Sequence, residues 1–230
     1  TAPVPSSAMS HLFTGSTHSH LYRLFRPNYP PELFLKIIDY CRDSKTQFQT
    51  CVDLGCGSGQ STFPLAPHFD QVFGVDVSES QIKEATKNTE LTPARNVSFR
   101  VGSADDLTFL EPHSVDLITV AQTIHWLDTR IFYAQCKQVL KPRGVLAVYG
   151  YGNVYLDNPV ANSVISKFYR ETLWDRGYWD DRRRHIDNSL ADFSPLPFRG
   201  FTRSVDDSLS MEKDMTLKDL VGYISTWSAY

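Results

Sequence analysis

Two rhythms of apolar and polar positions alternate along the chain: short β-prone runs and longer stretches with helical spacing. The short runs are Thr50 to Asp53, Gln71 to Asp76, Val97 to Val101, Val115 to Val120 and Val145 to Gly150. Val115 to Val120 is almost continuously hydrophobic, as expected for a strand covered on both faces. Glu32 to Cys41 and Thr129 to Leu140 have helical spacing. Ser78-Glu79-Ser80-Gln81 has the spacing of a capping box that opens a helix. Lys141-Pro142-Arg143-Gly144 reads as a turn before the fifth run. Strand and helix thus alternate five times over short connections. This predicts an α/β fold with a doubly wound, mostly parallel sheet flanked by helices.

Beyond the fifth run the pattern changes. Asn158 to Arg176 reads as one helix, with Asn158 as cap and Pro159 in its first turn. Tyr178 to His185 mixes aromatic and charged residues, Arg182, Arg183 and Arg184 among them. It reads first as a solvated face with internal ion pairs, and otherwise as a lid whose arginines pair an acidic substrate. Phe201 to Val205 is a candidate sixth strand, and Thr216-Leu217-Lys218-Asp219 opens a last helix through Trp227. Four regions follow: a leader at 1–10, an N-terminal lid and helix at 11–46, a core at 47–152, and a helical lid and substrate region at 153–230.

The candidate chemistry starts where the first strand ends. Asp53 is followed by Gly55, Gly57 and Gly59 in alternation, then at once by a helical pattern. Glycines are needed where the backbone takes positive φ or must approach a ligand more closely than a Cβ allows. A phosphate loop would end in Gly-Lys-Ser/Thr, and Gly59-Gln60-Ser61 has no lysine. The dinucleotide fingerprint would place its third glycine at Gln60, so that pattern fails too. Asp76 ends the second strand about 20 residues on, where a carboxylate takes the ribose hydroxyls of an adenosine.

With acid-x-G-x-G-x-G in place, the chain resembles the class I S-adenosylmethionine-dependent methyltransferases. Their ligand is cationic and carries no phosphate, which suits an acid at a strand end. Gly102-Ser103-Ala104-Asp105-Asp106-Leu107 is similar to the family's adenine loop, with either Ser103 or Asp105 meeting the exocyclic amine. Tyr22, Arg26-Pro27-Asn28-Tyr29-Pro30, His125-Trp126 and Thr226-Trp227-Ser228-Ala229-Tyr230 resemble the type 11 subset related to trans-aconitate methyltransferase. The resemblance implies a Rossmann-like sheet and S-adenosyl-L-methionine as cofactor, with S-adenosyl-L-homocysteine as product. The cofactor shell it implies is Tyr22, Arg26, Asp53, Gly55, Cys56, Gly57, Gly59, Asp76, Val77, Ser103, Ala104, Asp105, Ala121 and Gln122. His125, Trp126 and Tyr151 would face the substrate. His125 would act as a base titrating near neutrality or as a group orienting the acceptor. The acceptor would be a small molecule, such as a carboxylate or another oxygen nucleophile. A variant-turn nicotinamide oxidoreductase and a non-catalytic partner subunit are the other classes. The family's sheet ends in two strands, and only one candidate follows Gly150. The expectation is therefore a shortened chain, or an edge of strand five that something else covers.

Composition narrows the setting. A formal net charge of −3 offers no basic footprint for nucleic acid. No apolar run approaches the ~20 residues of a membrane helix. Cys41, Cys51, Cys56 and Cys136 form no C-x-x-C pair and read as reduced thiols of a cytoplasmic protein. His11, His18 and His20 come without acids or cysteines in metal spacing and read as a polar segment, so no metal is expected.

Overall fold

The computed structural model describes residues 24–193 and 201–228. Tyr22, the three early histidines and the 1–10 leader lie outside the described residues. Five strands form one sheet: β1 (Thr50–Leu54), β2 (Gln71–Asp76), β3 (Val97–Val101), β4 (Val115–Ala121) and β5 (Leu140–Tyr149). Their order is β3-β2-β1-β4-β5, and every pair is parallel. The order reverses at β1, so the C-terminal ends of β1, β2 and β4 flank one crevice. That is where open α/β sheets bind ligands.

Period-two alternation divides the strand residues between two cores. Val52 and Leu54 of β1, Ile118 and Val120 of β4, and Leu146 and Val148 of β5 share one face. There they pack against Phe132, Tyr133, Cys136 and Val139 of helix α3 (Thr129–Val139). Cys51, Leu117 and Val145 face the other side, against Phe34, Ile37, Ile38 and Cys41 of helix α1 (Pro31–Asp43). All seven β4 residues are buried, which explains that strand's near-continuous hydrophobic run. Burying a side chain such as Phe132 completely stabilises by roughly 1.5–3 kcal/mol. Helix α2 (Glu79–Glu90) forms half of the predicted capping box: the Ser78 hydroxyl accepts from the Gln81 amide, while the Ser78 amide donates to Asp76 instead of to the Gln81 side chain.

The later elements depart from the sequence reading in four places. Phe201 to Val205 is not a strand; Val205 is 71% exposed and its polar neighbours offer no face to bury. The Lys141–Gly144 turn lies inside β5, which pairs Leu140 with Val115 and Val145 with Leu117 across an irregularity. The single helix expected from Asn158 divides into helix α4 (Pro159–Lys167) and a π-helical turn, Phe168–Trp174. Helix α5 (Leu217–Ile224), opened by the Thr216–Asp219 capping box, ends before Trp227. Among the described residues no strand pairs with the outer edge of β5. Tyr169, Leu173, Trp179, Tyr223 and Trp227 form a third, aromatic core that joins these late elements.

Candidate active site

The three glycines of the β1–helix turn all have positive φ, at 69°, 53° and 91°. Their surroundings differ. A Cβ on Gly55 would lie 2.3 Å from Thr123 Oγ1, and one on Gly59 would lie 2.6 Å from the Phe63 ring. These two glycines let the turn pack. A Cβ on Gly57 would meet nothing closer than Gln81 Oε1 at 4.0 Å, so Gly57 borders open space. The Gly55 and Cys56 amides both donate to the carbonyl of Val75, which ties the turn to the end of β2.

Asp76 stands beside that open space. One carboxylate oxygen accepts the Gly57 amide and the other the Ser78 amide, each at 2.9 Å. Burial raises its pKa, opposed by hydrogen bonds from the amides of Ser78, Gly57 and Val77. Val77, half-buried, follows in the same corner. In the β3 loop, the Ser103 hydroxyl accepts the Asp105 amide at 3.1 Å, and Ala104 is buried. Asp105 Oδ1 is buried without a hydrogen-bond partner, and burial followed by the charge of Asp128 raises the pKa.

Asp53 departs from the expectation. It is fully buried under the turn and does not face open space. Hydroxyls of Ser61 (2.9 Å), Thr62 (2.6 Å) and Thr119 (2.8 Å) donate to its two oxygens. Strand register places it opposite Thr119 of β4, on the α1 side of the sheet. Asp53 therefore braces the turn from below through three hydroxyls. Cys56, also buried, has its thiol against the carbonyl of Gly57, and burial pushes its pKa well up.

At the end of β4, Ala121 is buried and Gln122 has a φ of 51°. The Gln122 amide donates to Tyr149 O, and its side chain to Tyr151 O at 2.7 Å, locking the ends of β4 and β5 together. His125 follows in a single 3-10 turn, Ile124–Trp126, and is only 6% exposed. Its ring lies 4.8 Å from that of Trp126, and Nδ1 has no partner. The expected titration near neutrality is overturned. Burial first, then the charges of Arg183, His185 and Arg182, lowers its pKa to about 3, against a smaller pull from Asp180. The imidazole is neutral at physiological pH.

The Tyr178–His185 segment is internally ion-paired, as its first reading expects, and it lies against the turn that follows β4. Arg182 forks onto Asp180, through Nε at 2.9 Å and Nη2 at 2.6 Å, with its guanidinium 4.6 Å over the Trp126 ring. Arg183 donates to Tyr169 Oη at 3.2 Å and Asn153 Oδ1 at 2.6 Å. Arg26 donates to Tyr151 Oη at 3.1 Å and to the carbonyl of Thr226 at 2.9 Å. Arg26 is thus a clasp between distant segments, where the sequence suggested a partner for an anionic ligand. Thr123, Asn153 and Tyr169 escape sequence reading, because their roles come from contacts across the fold.

A depression of about 490 Å³ opens at the other end of the sheet, lined by Lys45, His113, Asp116, Lys141 and Arg143 among others. Asp116 has its oxygens taken by Lys141 and three backbone amides. No group of His, Cys, Asp and Glu among the described residues could hold a metal ion. Among them, too, no helix is long and apolar enough to cross a membrane.

Residues 52–148 match the family model described as a methyltransferase domain. The chain is 36% identical over its full length to a Dictyostelium discoideum protein classed as a methyltransferase, covering 82% of that relative. The chain belongs to the S-adenosylmethionine-dependent methyltransferases of type 11. A Saccharomyces cerevisiae protein classed as an S-adenosylmethionine-dependent methyltransferase is 26% identical, over 91% of this chain and 78% of its own. A solved methyltransferase from Anaeromyxobacter dehalogenans superposes with a TM-score of 0.70 at 33% identity, covering 89% of this chain and 80% of that one. The chain is an S-adenosylmethionine-dependent enzyme with a Rossmann-like fold, not a nicotinamide oxidoreductase. The residues present fit that cofactor. Gly57 leaves a cradle that a side chain would fill, and Asp105 keeps an unpaired acceptor in the loop after β3.

Proposed function

We propose that this methyltransferase acts on a small-molecule acceptor held between His125 and Trp126 at the end of β4 and the Tyr178–His185 lid. The acceptor is a carboxylate or another oxygen nucleophile that is already anionic. One observation carries this reading: His125 is buried, neutral and short of a partner at Nδ1, beneath a lid bearing Arg182 and Arg183. An imidazole whose conjugate acid has a pKa of about 3 is a weak general base. It can still hydrogen-bond and orient an acceptor that needs no deprotonation.

On this reading, Asp76 takes the ribose hydroxyls. Asp105 is favoured over Ser103 for the exocyclic amine, since the Ser103 oxygen already accepts the Asp105 amide. Gly55 and Gly59 set the turn, and Gly57 gives the close approach. Val77, Cys56, Ala121 and Gln122 complete the cofactor's walls, and Tyr151, held by Arg26, closes the far side. Bound S-adenosylmethionine supplies an electrophilic methyl group, open to in-line displacement. The protein aligns donor and acceptor and excludes water, tasks that need no covalent enzyme intermediate. The lid supports water exclusion through the Arg182–Trp126 stack. We place this activity in the cytoplasm, in keeping with four buried free thiols.

The test is methyl transfer from labelled donor to separate pools of carboxylic acids, phenols and amines. Transfer to the acid pool as a base-labile methyl ester is the expected result. Transfer confined to the amine pool would overturn the anionic-oxygen assignment.

A further inference from the structure

Three buried polar atoms in the loops and helix starts that follow β1, β2 and β3 have no hydrogen-bond partner: Ser58 Oγ, Gln81 Oε1 and Asp105 Oδ1. Asp105 has a role in the reading above, and a serine hydroxyl can rotate to suit its surroundings. Gln81 is different. It is the third residue of α2, and the helix start is already capped by the Ser78 hydroxyl. Helix formation makes no use of its side-chain amide, and with an exposure of 4% it is nearly out of reach of solvent.

Its position supplies a use. Gln81 Oε1 is the nearest atom to the open space beside Gly57. The amide of Gly57 is held by Asp76, so the glutamine carbonyl, the carboxylate and the exposed backbone meet in one corner. The Gln81 carbonyl is the acceptor left without a donor there. Buried acceptors without donors are rare in native proteins, and each calls for an explanation such as a ligand. The nucleoside of the cofactor has the missing donors, two ribose hydroxyls and an exocyclic amine.

We propose that Gln81 is a donor-reading residue whose side-chain carbonyl accepts a hydrogen bond from the adenosine part of S-adenosylmethionine. The assignment rests on the placement of the ribose at Asp76. It gives α2 a specificity role beyond packing. It also accounts for an amide at a helical position that buries its neighbours Ile82 and Ala85.

Gln81→Met keeps the volume and removes the acceptor. Calorimetric titration with S-adenosylhomocysteine should show binding weakened about 2- to 10-fold, the worth of one net hydrogen bond. 5′-Methylthioadenosine, which lacks the amino-acid end, should lose affinity by the same factor. The ligand-free variant should melt at or above the wild-type temperature, because an unpaired buried acceptor is gone. Gln81→Leu serves as a second variant with the same readouts. Unchanged affinity overturns the proposal. So does a weakened affinity accompanied by a lower ligand-free melting temperature, which would mark a structural role. A loss seen with S-adenosylhomocysteine but not with methylthioadenosine also overturns it, by moving the contact to the amino-acid end. Asp76→Ala, titrated alongside, tests the ribose placement separately: unchanged affinity there fails that reading.

Discussion

Two buried carboxylates sit near opposite ends of neighbouring strands, and their surroundings differ. At the start of β4, Asp116 accepts Lys141 Nζ at 2.8 Å and the amides of Gln47, Gln49 and Thr50 at 3.0–3.1 Å. Burial alone would raise its pKa, but the hydrogen bond from Lys141, those from the amides and the lysine's charge bring it below the ordinary value. Near the end of β1, Asp53 has three hydroxyls and no cation among the described residues, and burial keeps its pKa raised. The unpaired atoms of Gln81, Asp105 and His125 also follow strands at their C-terminal ends. This fold matches its charges where it only has to hold together. Past the strand ends it leaves Gln81, Asp105 and His125 each with an unpaired buried atom, the kind of local inconsistency natural proteins concentrate at functional sites.

The contrast can be broken most forcefully at Asp116. Asp116→Ala leaves Lys141 without its buried partner and should cost about 3–5 kcal/mol in urea unfolding. Cofactor affinity of the folded fraction should be unchanged. Asp76→Ala should do the reverse. We expect S-adenosylmethionine binding weaker by ~1.5–3 kcal/mol in calorimetry, with a smaller effect on stability.

His125 gives a pH test of intermediate size. Its folded pKa is depressed, so its contribution to stability is present above about pH 6.5 and is lost as pH falls toward about 3. By linkage the wild type should lose roughly 1–2 kcal/mol between pH 7 and pH 5 from this group alone. His125→Gln should flatten that limb in unfolding curves taken at both pH values. Asp53→Asn is the gentlest test and has the opposite sign. A raised folded pKa favours the protonated acid, so the wild type loses stability as pH rises through that pKa. The variant should stay within about 1 kcal/mol of wild type, the scale of one net hydrogen bond, and gain on it as pH rises above the ordinary carboxylate range.

The sheet was legible because each strand obeys a local rule. Near-continuous apolar runs in β1, β4 and the second half of β5 follow from both faces of the sheet being covered. Phe201–Val205 satisfied the same local preference and failed, since a strand needs a neighbour and propensity cannot supply one. The glycine motif was equally readable, as was Asp76 at its strand end. The facing of Asp53 was not, because it depends on the register with β4. Gln81 was visible only as part of a capping signal. Its unused carbonyl becomes apparent once Gly57 is known to border open space.

Arg26 has a consequence for synthesis. Its two anchors lie 125 and 200 residues further along the chain. A ribosome adding ~5–20 residues per second needs roughly 10–40 s to travel from Arg26 to Thr226. During that interval the glycine turn and the sheet are synthesised, while Arg26 gains Tyr151 only after 125 residues and the Thr226 carbonyl only after 200. The glycine turn is therefore made well before the chain that gives Arg26 its second anchor, so the clasp is among the last contacts the protein can form.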